Sequence, residues 1–516
     1  LLALLLPACS SLPHNPVRPD SFAISTYAQT PLAAIVAPVL AADDTTGRSG
    51  FRLLPEASSA FQTRLELTKL ATRTLDVQYY LLQGDDTGRH LMRALSAAAA
   101  RGVRVRVLVD DLYTSGEDAL LNGLAAQPNV QVRLFNPFAS GRSSLLMRFL
   151  AAGSDLARVN RRMHNKLFVA DNVAALAGGR NIGDEYFMRS TSNNFVDLDA
   201  FIVGPAVRDL SNTFDDYWNS EHSYPIATIV PMVLTPDESR VQFAQLTANA
   251  DAFVAAQSLT EDAAPLLSLP QELAQHRLQP LVLAKARVFA DPVTKTDGFN
   301  ENSIEGTVHQ AVLEWFRSAR KEVFMVSPYF VPGPAGMVSI RVARKAGIQL
   351  VVYTNSLAAS DEPLVNGAYA RYRPEMLRLG VKLYEISPTL TVKRKRLGLF
   401  GTSRGALHVK LAIVDQKAMF LGSMNLDQRS ASLNTELGLI IESPALVAQL
   451  APRLDRASGY QVKLAPDGKN IEWVEEDGDG DDDDATTIVH HTEPETTAWL
   501  RFKVWLLSQF VPEGQL

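Results

Sequence analysis

The sequence predicts an α/β fold made twice, two repeats packed face to face around one active site. Three observations predict it. A patterned stretch beginning at residue 164 recurs at residue 408 with unchanged spacing. The same order of helices and strands precedes each copy. Each copy carries half of a set of residues that makes chemical sense only as a pair.

The recurrence sets HNKLFVADNVAALAGGRNIGD, from His164 to Asp184, against HVKLAIVDQKAMFLGSMNLD, from His408 to Asp427. In both, Lys follows His at +2, Asp at +7, Gly at +14 and Asn at +17. The first repeat, residues 46–224, opens with FRLLPEASSAFQTRLELTKLATRTLDVQYYLL, which reads as strand, helix, strand. GRHLMRALSAAAARGVRVRVLVDD then supplies a helix closed at Gly102 and a strand of alternating valines. The second repeat, residues 281–450, starts with LVLAKARVFADP as its first strand. HQAVLEWFRSARKEVFMVSPYFV and VSIRVARKAGIQLVVYTNS follow in the same order, with Gly347 in the role of Gly102. Such alternation implies sheets flanked by helices.

Outside the repeats, residues 225–280 read as a linker with scattered prolines and weakly helical segments. Residues 451–516 read as a tail: a hairpin turn at Asp467-Gly468, an acidic loop, and WLRFKVWLLSQFV as a terminal helix that docks or faces a membrane. The start, LLALLLPACSSLP, looks like the end of a bacterial lipoprotein signal. On that reading residues 1–8 are a signal remnant, Cys9 is the lipidation site and residues 9–45 are an extended tether. No internal disulfide is available, because Cys9 is the one cysteine. No later stretch reaches the ~20 uninterrupted apolar residues of a spanning helix. The expected location is the bacterial cell envelope, facing the periplasm and held by lipid.

With 46% hydrophobic and 21% charged residues, the composition excludes global disorder. The formal charge of −6 hides a division: nine acidic residues lie between Glu472 and Asp484, and without them the remainder stands near +3. A near-neutral, slightly basic body suits a phosphate-bearing partner. Nucleic acid is not expected, since that calls for a more basic body and aromatic platforms. The run EEDGDGDDDD lacks calcium-loop spacing, for twelve positions from Asp477 end at Ile488 rather than Glu. Basic and apolar residues mix in SSLLMRFLAAGSDLARVNRRMH and VKRKRLGLFGTSRGALH, just before the two motifs. That mixture suits a membrane surface.

In a strand, alternate side chains share a face, so His164 points with Lys166 and His408 with Lys410. Asp171 and Asp415 end their strands before a turn, where a carboxylate satisfies backbone donors; their role is structural. The return strand brings Asn181 or Asn425 beside the histidine. Two such surfaces offer two imidazoles as nucleophile and general acid, and two ammoniums with two amides as a clamp on phosphoryl oxygens. The set calls for no metal and no cofactor: lysines repel a cation, and no second histidine stands at ligand spacing. Each imidazole needs an orienting carboxylate. Aligning VDLDAFIVGPAV with TELGLIIESPAL through Pro205 and Pro444 pairs Asp197 with Glu436 in that role. Asp199, two residues on, competes with Asp197.

The doubled His-x-Lys-x4-Asp-x6-Gly-Ser/Gly-x-Asn element resembles the signature of the phospholipase D superfamily. The likeness runs from about residue 45 to 450. NRRMHNKLFVADN, GGRNIGDEYF, DDLYTSGEDALL, LFNPF, TNSLAASDE, GAYARYRPEMLRLGVKLYE and NLDQRSASLNTELGLIIES look like its bacterial cardiolipin synthase C-like branch. The resemblance implies a duplicated phospholipase D-type α/β sandwich and a phosphatidyltransferase working through a phosphohistidine. It assigns His164 to attack and His408 to acid–base work, and it makes Lys166, Lys410, Asn181 and Asn425 phosphate ligands. Ser423 matches the family serine as a further phosphate contact, whereas Gly179 departs from it and leaves one hydroxyl without an owner. The implied substrates are phosphatidylglycerol and, as an alternative donor, phosphatidylethanolamine, met at a membrane surface; a protein partner is left open. A hydrolase giving phosphatidic acid shares every catalytic residue. A nuclease of the superfamily and a non-catalytic binding protein are the remaining alternatives.

Overall fold

The computed structural model describes residues 11–14, 16–41, 47–231, 233–250, 267–298, 305–388, 405–454, 459–477 and 486–515. Cys9, the signal remnant, the KRKR stretch from Lys393 to Arg396 and most of the acidic run lie outside the described residues.

The first repeat supplies β1 (Ser49–Leu54), β2 (Thr74–Tyr79), β3 (Arg104–Asp110), β4 (Val130–Phe135) and β5 (Lys166–Ala170). It continues with β6 (Ala174–Gly178), β7 (Asn194–Val196), β8 (Asp199–Val203) and β9 (Ser223–Pro225). The second supplies β10 (Val282–Ala290), β11 (Glu322–Val326), β12 (Gln349–Asn355), β13 (Lys382–Ile386) and β14 (Gly405–Leu407). Its remaining strands are β15 (Leu411–Val414), β16 (Ala418–Gly422) and β17 (Leu437–Glu442). The tail adds β18 (Gly459–Leu464), β19 (Ile471–Asp477) and β20 (Thr486–His490).

The pairings reveal the duplication directly. In the first repeat they run β9-β4-β3-β2-β5-β6-β8-β1, and in the second β10-β17-β16-β15-β11-β12-β13-β18. Three strands of each are parallel, β2-β3-β4 and β11-β12-β13, linked by crossover helices such as Asp86–Ala100 and Gly333–Lys345. The two sheets join edge to edge where β1 meets β10 antiparallel, Gly50 opposite Leu283.

Apolar residues on both faces of the strands make three main cores. One lies under the outer helices of the first repeat, with Leu91, Leu95 and Leu121. Another does the same for the second, with Val312, Met337 and Met376. The third is shared: Leu167 and Ala177 of the first repeat join Leu411, Leu421 and Leu439 of the second, with Phe214 and Trp218 from the Pro205–Trp218 helix and Leu446 from Pro444–Leu454. The repeats therefore pack face to face, as expected.

Two expectations about the flanks need correction. The described residues of the 9–45 segment are no free tether. The Pro31–Ala41 helix buries Leu32, Ile35 and Val36, and Ala23 donates from its backbone to Asp215 Oδ2 at 2.7 Å. Buried Arg106 also donates to the Ser21 carbonyl at 2.6 Å, so polar anchors and apolar burial together hold the segment down. Nor are the described residues of 225–280 a bare linker. The Pro236–Thr247 helix, with a capping box from Thr235 and Glu238, buries Phe243 against Gly123. The Leu269–Ala274 helix lies on Ala57–Leu70, and Glu272 pairs with Arg52 at 2.7 Å. The tail forms its hairpin, β18 against β19, and the Ala498–Ser508 helix docks on Pro363–Arg378.

Candidate active site

Each histidine stands just before its hairpin: His164 two residues before β5 of β5-β6, His408 three residues before β15 of β15-β16. At the far ends of those hairpins the chain turns through left-handed residues, Asp171 and Asn172 in one, Asp415 and Gln416 in the other. Asp171 accepts from the backbone N–H groups of Thr72, Arg73 and Thr74, the last two at 2.8 and 2.9 Å. Asp415 accepts from those of Arg320, Lys321 and Glu322. Both carboxylates tie a hairpin tip to the start of the neighbouring strand, far along the strand from the histidines. Both carboxylates thus sit where the sequence reading put them, at a turn and against backbone donors.

The two repeats exchange backbone beside the histidines. β14 pairs in parallel with β7, and the His408 N–H donates to the Val196 carbonyl at 2.8 Å. Across the pseudo-twofold, Met163 bridges to Thr435 and the His164 N–H donates to the Thr435 carbonyl, also at 2.8 Å. The residues after Val196 and Thr435 are Asp197 and Glu436. Each carboxylate is thereby delivered to the histidine of the other repeat: His164 Nδ1 lies 2.9 Å from Glu436 Oε2, and His408 Nδ1 lies 2.6 Å from Asp197 Oδ2. Both residues found by aligning the halves are at the site, and each serves across the interface. Asp199 is elsewhere, paired with Arg64 at 2.8 Å.

The remaining motif residues surround the imidazoles. Lys166 and Lys410 each donate to the carbonyl of their own histidine at 2.6 Å, and Lys410 Nζ lies 3.1 Å from His408 Nδ1. Asn181 donates to the Tyr186 hydroxyl at 2.9 Å, while the Oδ1 atoms of Asn181 and Asn425 have no partner among the described residues. Ser423 differs from the expectation. Its hydroxyl donates to Glu436, so it holds the carboxylate rather than a phosphate. A Cβ at Gly179 would lie 2.1 Å from Asp197 Oδ1, so the missing serine is replaced by the Asp197 carboxylate itself. Arg180 makes no such contact; it donates to the carbonyls of Leu54, Pro55 and Asp197.

Sequence reasoning missed an aromatic lining. Tyr80 meets the His164 ring edge-on at 4.9 Å, and Tyr186 meets the His408 ring edge-on at 5.1 Å. Tyr113 stands against Tyr80 at 5.4 Å and is 41% exposed, marking the mouth. The available signal was weak: Tyr80 belongs to the Tyr79–Leu81 strand end that has a counterpart in the second repeat. Arg429 was missed as well; its charge acts on His164, and its guanidinium donates to Asn160 Oδ1 at 3.0 Å.

Burial governs the charges. His164 and His408 are 6% and 5% exposed. Burial, then the charges of Lys166, Lys410 and Arg429, hold His164 well below the usual imidazole range. Burial and Lys410 hold His408 down to about 4 against the pull of Asp197. Burial also lowers both lysines, Lys410 to about 8. The two carboxylates differ: burial lifts Glu436 to about 7, whereas burial of Asp197 is outweighed by the charges of His408, Lys410 and Arg180, leaving it below its usual value. Lysines of both repeats act on both histidines, so the two motifs form one electrostatic unit. Neutral imidazoles beside ammoniums can attack or relay a proton around a bound anion.

A family model described as cardiolipin synthase, PLD-like domain, matches residues 65–218 and 312–457. Cardiolipin synthase C of Escherichia coli (strain K12) is 37% identical over 90% of this chain and 95% of its own length. An uncharacterized protein of Helicobacter pylori (strain ATCC 700392 / 26695) is 29% identical over 97% of this chain and 96% of its own. Among solved structures, a phosphatidylserine synthase of Haemophilus influenzae Rd KW20 is similar in fold, with a TM-score of 0.56 at 15% identity, covering 93% of this chain and 97% of that one.

Proposed function

The chain belongs to the phospholipase D superfamily, in its cardiolipin synthase-like family, and as a phosphatidyltransferase of that family we propose that it makes cardiolipin from phosphatidylglycerol. The observation that carries this is the pair of buried imidazoles, each backed through Nδ1 by a carboxylate of the opposite repeat. With Nδ1 so engaged, Nε2 of each ring is left to do the chemistry. His164 Nε2 attacks the phosphorus of a donor phospholipid, and the bond from phosphorus to the head-group oxygen breaks. His408, entering the step as the imidazolium that Asp197 and the bound phosphate anion stabilise, protonates that leaving oxygen from Nε2; now neutral, it takes the proton from an incoming phosphatidylglycerol hydroxyl, which displaces His164 from phosphorus. Lys166, Lys410, Asn181 and Asn425 hold the phosphoryl oxygens throughout. The carboxylates of Glu436 and Asp197 keep the tautomers and stabilise the cations that form.

The donor is phosphatidylglycerol or phosphatidylethanolamine. The apolar run ending at Cys9 supports attachment by lipid at that residue, on the periplasmic side of the envelope. Mass spectrometry of lipids after incubation with phosphatidylglycerol, alone and with phosphatidylethanolamine, tests the reading. Cardiolipin is expected, and His164→Ala is expected to lower its rate at least about 10³-fold. Cardiolipin formed by His164→Ala at the wild-type rate overturns the mechanism. Phosphatidic acid as the sole product replaces transfer with hydrolysis.

A further inference from the structure

Two helices turn the usual amphipathic pattern outward. Leu145–Ala152 reads LLMRFLAA, and its one charged residue, Arg148, is the buried one. Arg148 points inward to the Asp111 and Leu112 carbonyls and the Thr114 hydroxyl. Leu146 and Leu150 face solvent at 68% and 66% exposure. A soluble surface helix does the opposite. The Ala498–Ser508 helix packs Val504 and Ser508 on Gly367. Its other face carries a row of tilted aromatic rings, Trp499 to Phe502 at 5.8 Å and Phe502 to Trp505 at 6.1 Å, with Leu506 and Phe510 continuing it and exposed Lys503 within it.

Both helices connect to the surroundings of His164. From the first, Arg148 holds the Asp111–Tyr113 turn, and Tyr113 leads through Tyr80 to His164. From the second, the chain runs on to Glu513 and Gln515. Gln515 accepts from Asn160 at 2.6 Å, and Asn160 accepts from Arg429. Asn160 in turn follows the first helix by only eight residues. The apolar surfaces are thus both tied to groups around His164, one through Tyr113 and Tyr80, the other through Asn160 and Arg429.

We propose that these two helices form a membrane-docking collar, which seats the mouth of the site on a phospholipid bilayer. The proposal rests on the reading of the substrates as membrane lipids. Their phosphates must reach imidazoles that are almost wholly buried, while their acyl chains stay out of water. Exposed leucines and tryptophans near the site let the head group enter with the chains still in the bilayer. Helices of 8 and 11 residues are too short to span it, so they lie in the interface, where Trp rings sit at the head-group level. Continuity with the site, and the charged residue turned inward, favour lipid over a second copy of the chain.

The test uses the full-length chain carrying Cys9→Ser, so that no lipid anchor contributes, and vesicles of phosphatidylcholine with phosphatidylglycerol. Wild-type surface residues should bind these vesicles. Leu146→Ser/Leu150→Ser and Trp499→Ser/Trp505→Ser/Phe510→Ser should each weaken partitioning about 10-fold or more. On dispersed short-chain phosphatidylglycerol, transfer should stay within about twofold. Independently of any folding defect in the variants, brominated lipid should quench the fluorescence of the unmutated surface. Absence of vesicle binding, absence of quenching, or variants that bind as before overturns the collar; so does self-association through these residues without lipid binding. Vesicle binding by His164→Ala separates the two readings, because it needs the surface but not the chemistry.

Discussion

Gly179 and Ser423 hold equivalent places in the two repeats, and their difference is compensated one residue away in space. The Ser423 hydroxyl steadies Glu436, whereas the Asp197 carboxylate occupies the volume a serine would need at Gly179. The two carboxylates also sit at different protonation balances: burial lifts Glu436 to about 7 against the Ser423 hydrogen bond, and His408 with Lys410 holds Asp197 low. Lys410, lowered to about 8 by burial, sets the alkaline side. As pH rises through that value its ammonium is lost, and with it one grip on the phosphate. Rate profiles should therefore climb toward neutrality and fall beyond about pH 8, the limbs belonging to the coupled set. The fall is not unfolding. Between the folded and ordinary lysine values the unfolded chain binds more protons, so this group's contribution makes the fold more stable as pH rises. Parallel measurement of kcat/KM and Tm from pH 6 to 10 checks both signs; a Tm loss accompanying the rate loss would refute this account.

At the scale of elements, the hairpins β5-β6 and β15-β16 are rigid arms pinned at the tip and used at the base. Asp171 is fully buried and satisfies three backbone N–H groups, while the equivalent donors around Asp415 lie near the surface. Asp171→Ala should cost on the order of 3 kcal/mol in urea unfolding, and Asp415→Ala about 1 kcal/mol, because water replaces the lost acceptor only where it can reach. Equal losses would mean that burial is not the deciding factor. The short pairings β7-β14 and Met163-Thr435 work differently: they carry a carboxylate from each repeat to the imidazole of the other.

For the whole molecule, this exchange and the shared core make the repeats one unit. Leu167 and Ala177 pack with Leu411 and Leu421, and β1 continues into β10. Neither repeat holds a complete histidine–carboxylate pair by itself. Thermal unfolding followed by calorimetry and by tryptophan fluorescence should give one coincident transition, since Trp218 lies in the shared core and Trp473 in that of the second repeat. Two resolved transitions would show that the repeats unfold separately.

What was legible in the amino-acid order was whatever is local or periodic. The strand and helix order, the doubled motif, the structural part of Asp171 and Asp415, and the identity of Asp197 and Glu436 all follow from spacing, because spacing sets which face a side chain takes. What required the tertiary structure was everything that depends on which distant chain lies alongside. The crossing of the carboxylates, the turn of Ser423 toward Glu436, Tyr80 and Tyr186 against the imidazoles, and the docking of residues 16–41 are contacts between segments far apart in the chain. No local pattern encodes them, since a short polar or aromatic side chain looks the same in sequence whether a surface or a site receives it. The same holds for Arg148: its neighbours announce an apolar helix, and only the fold shows that the charge goes in and the leucines out.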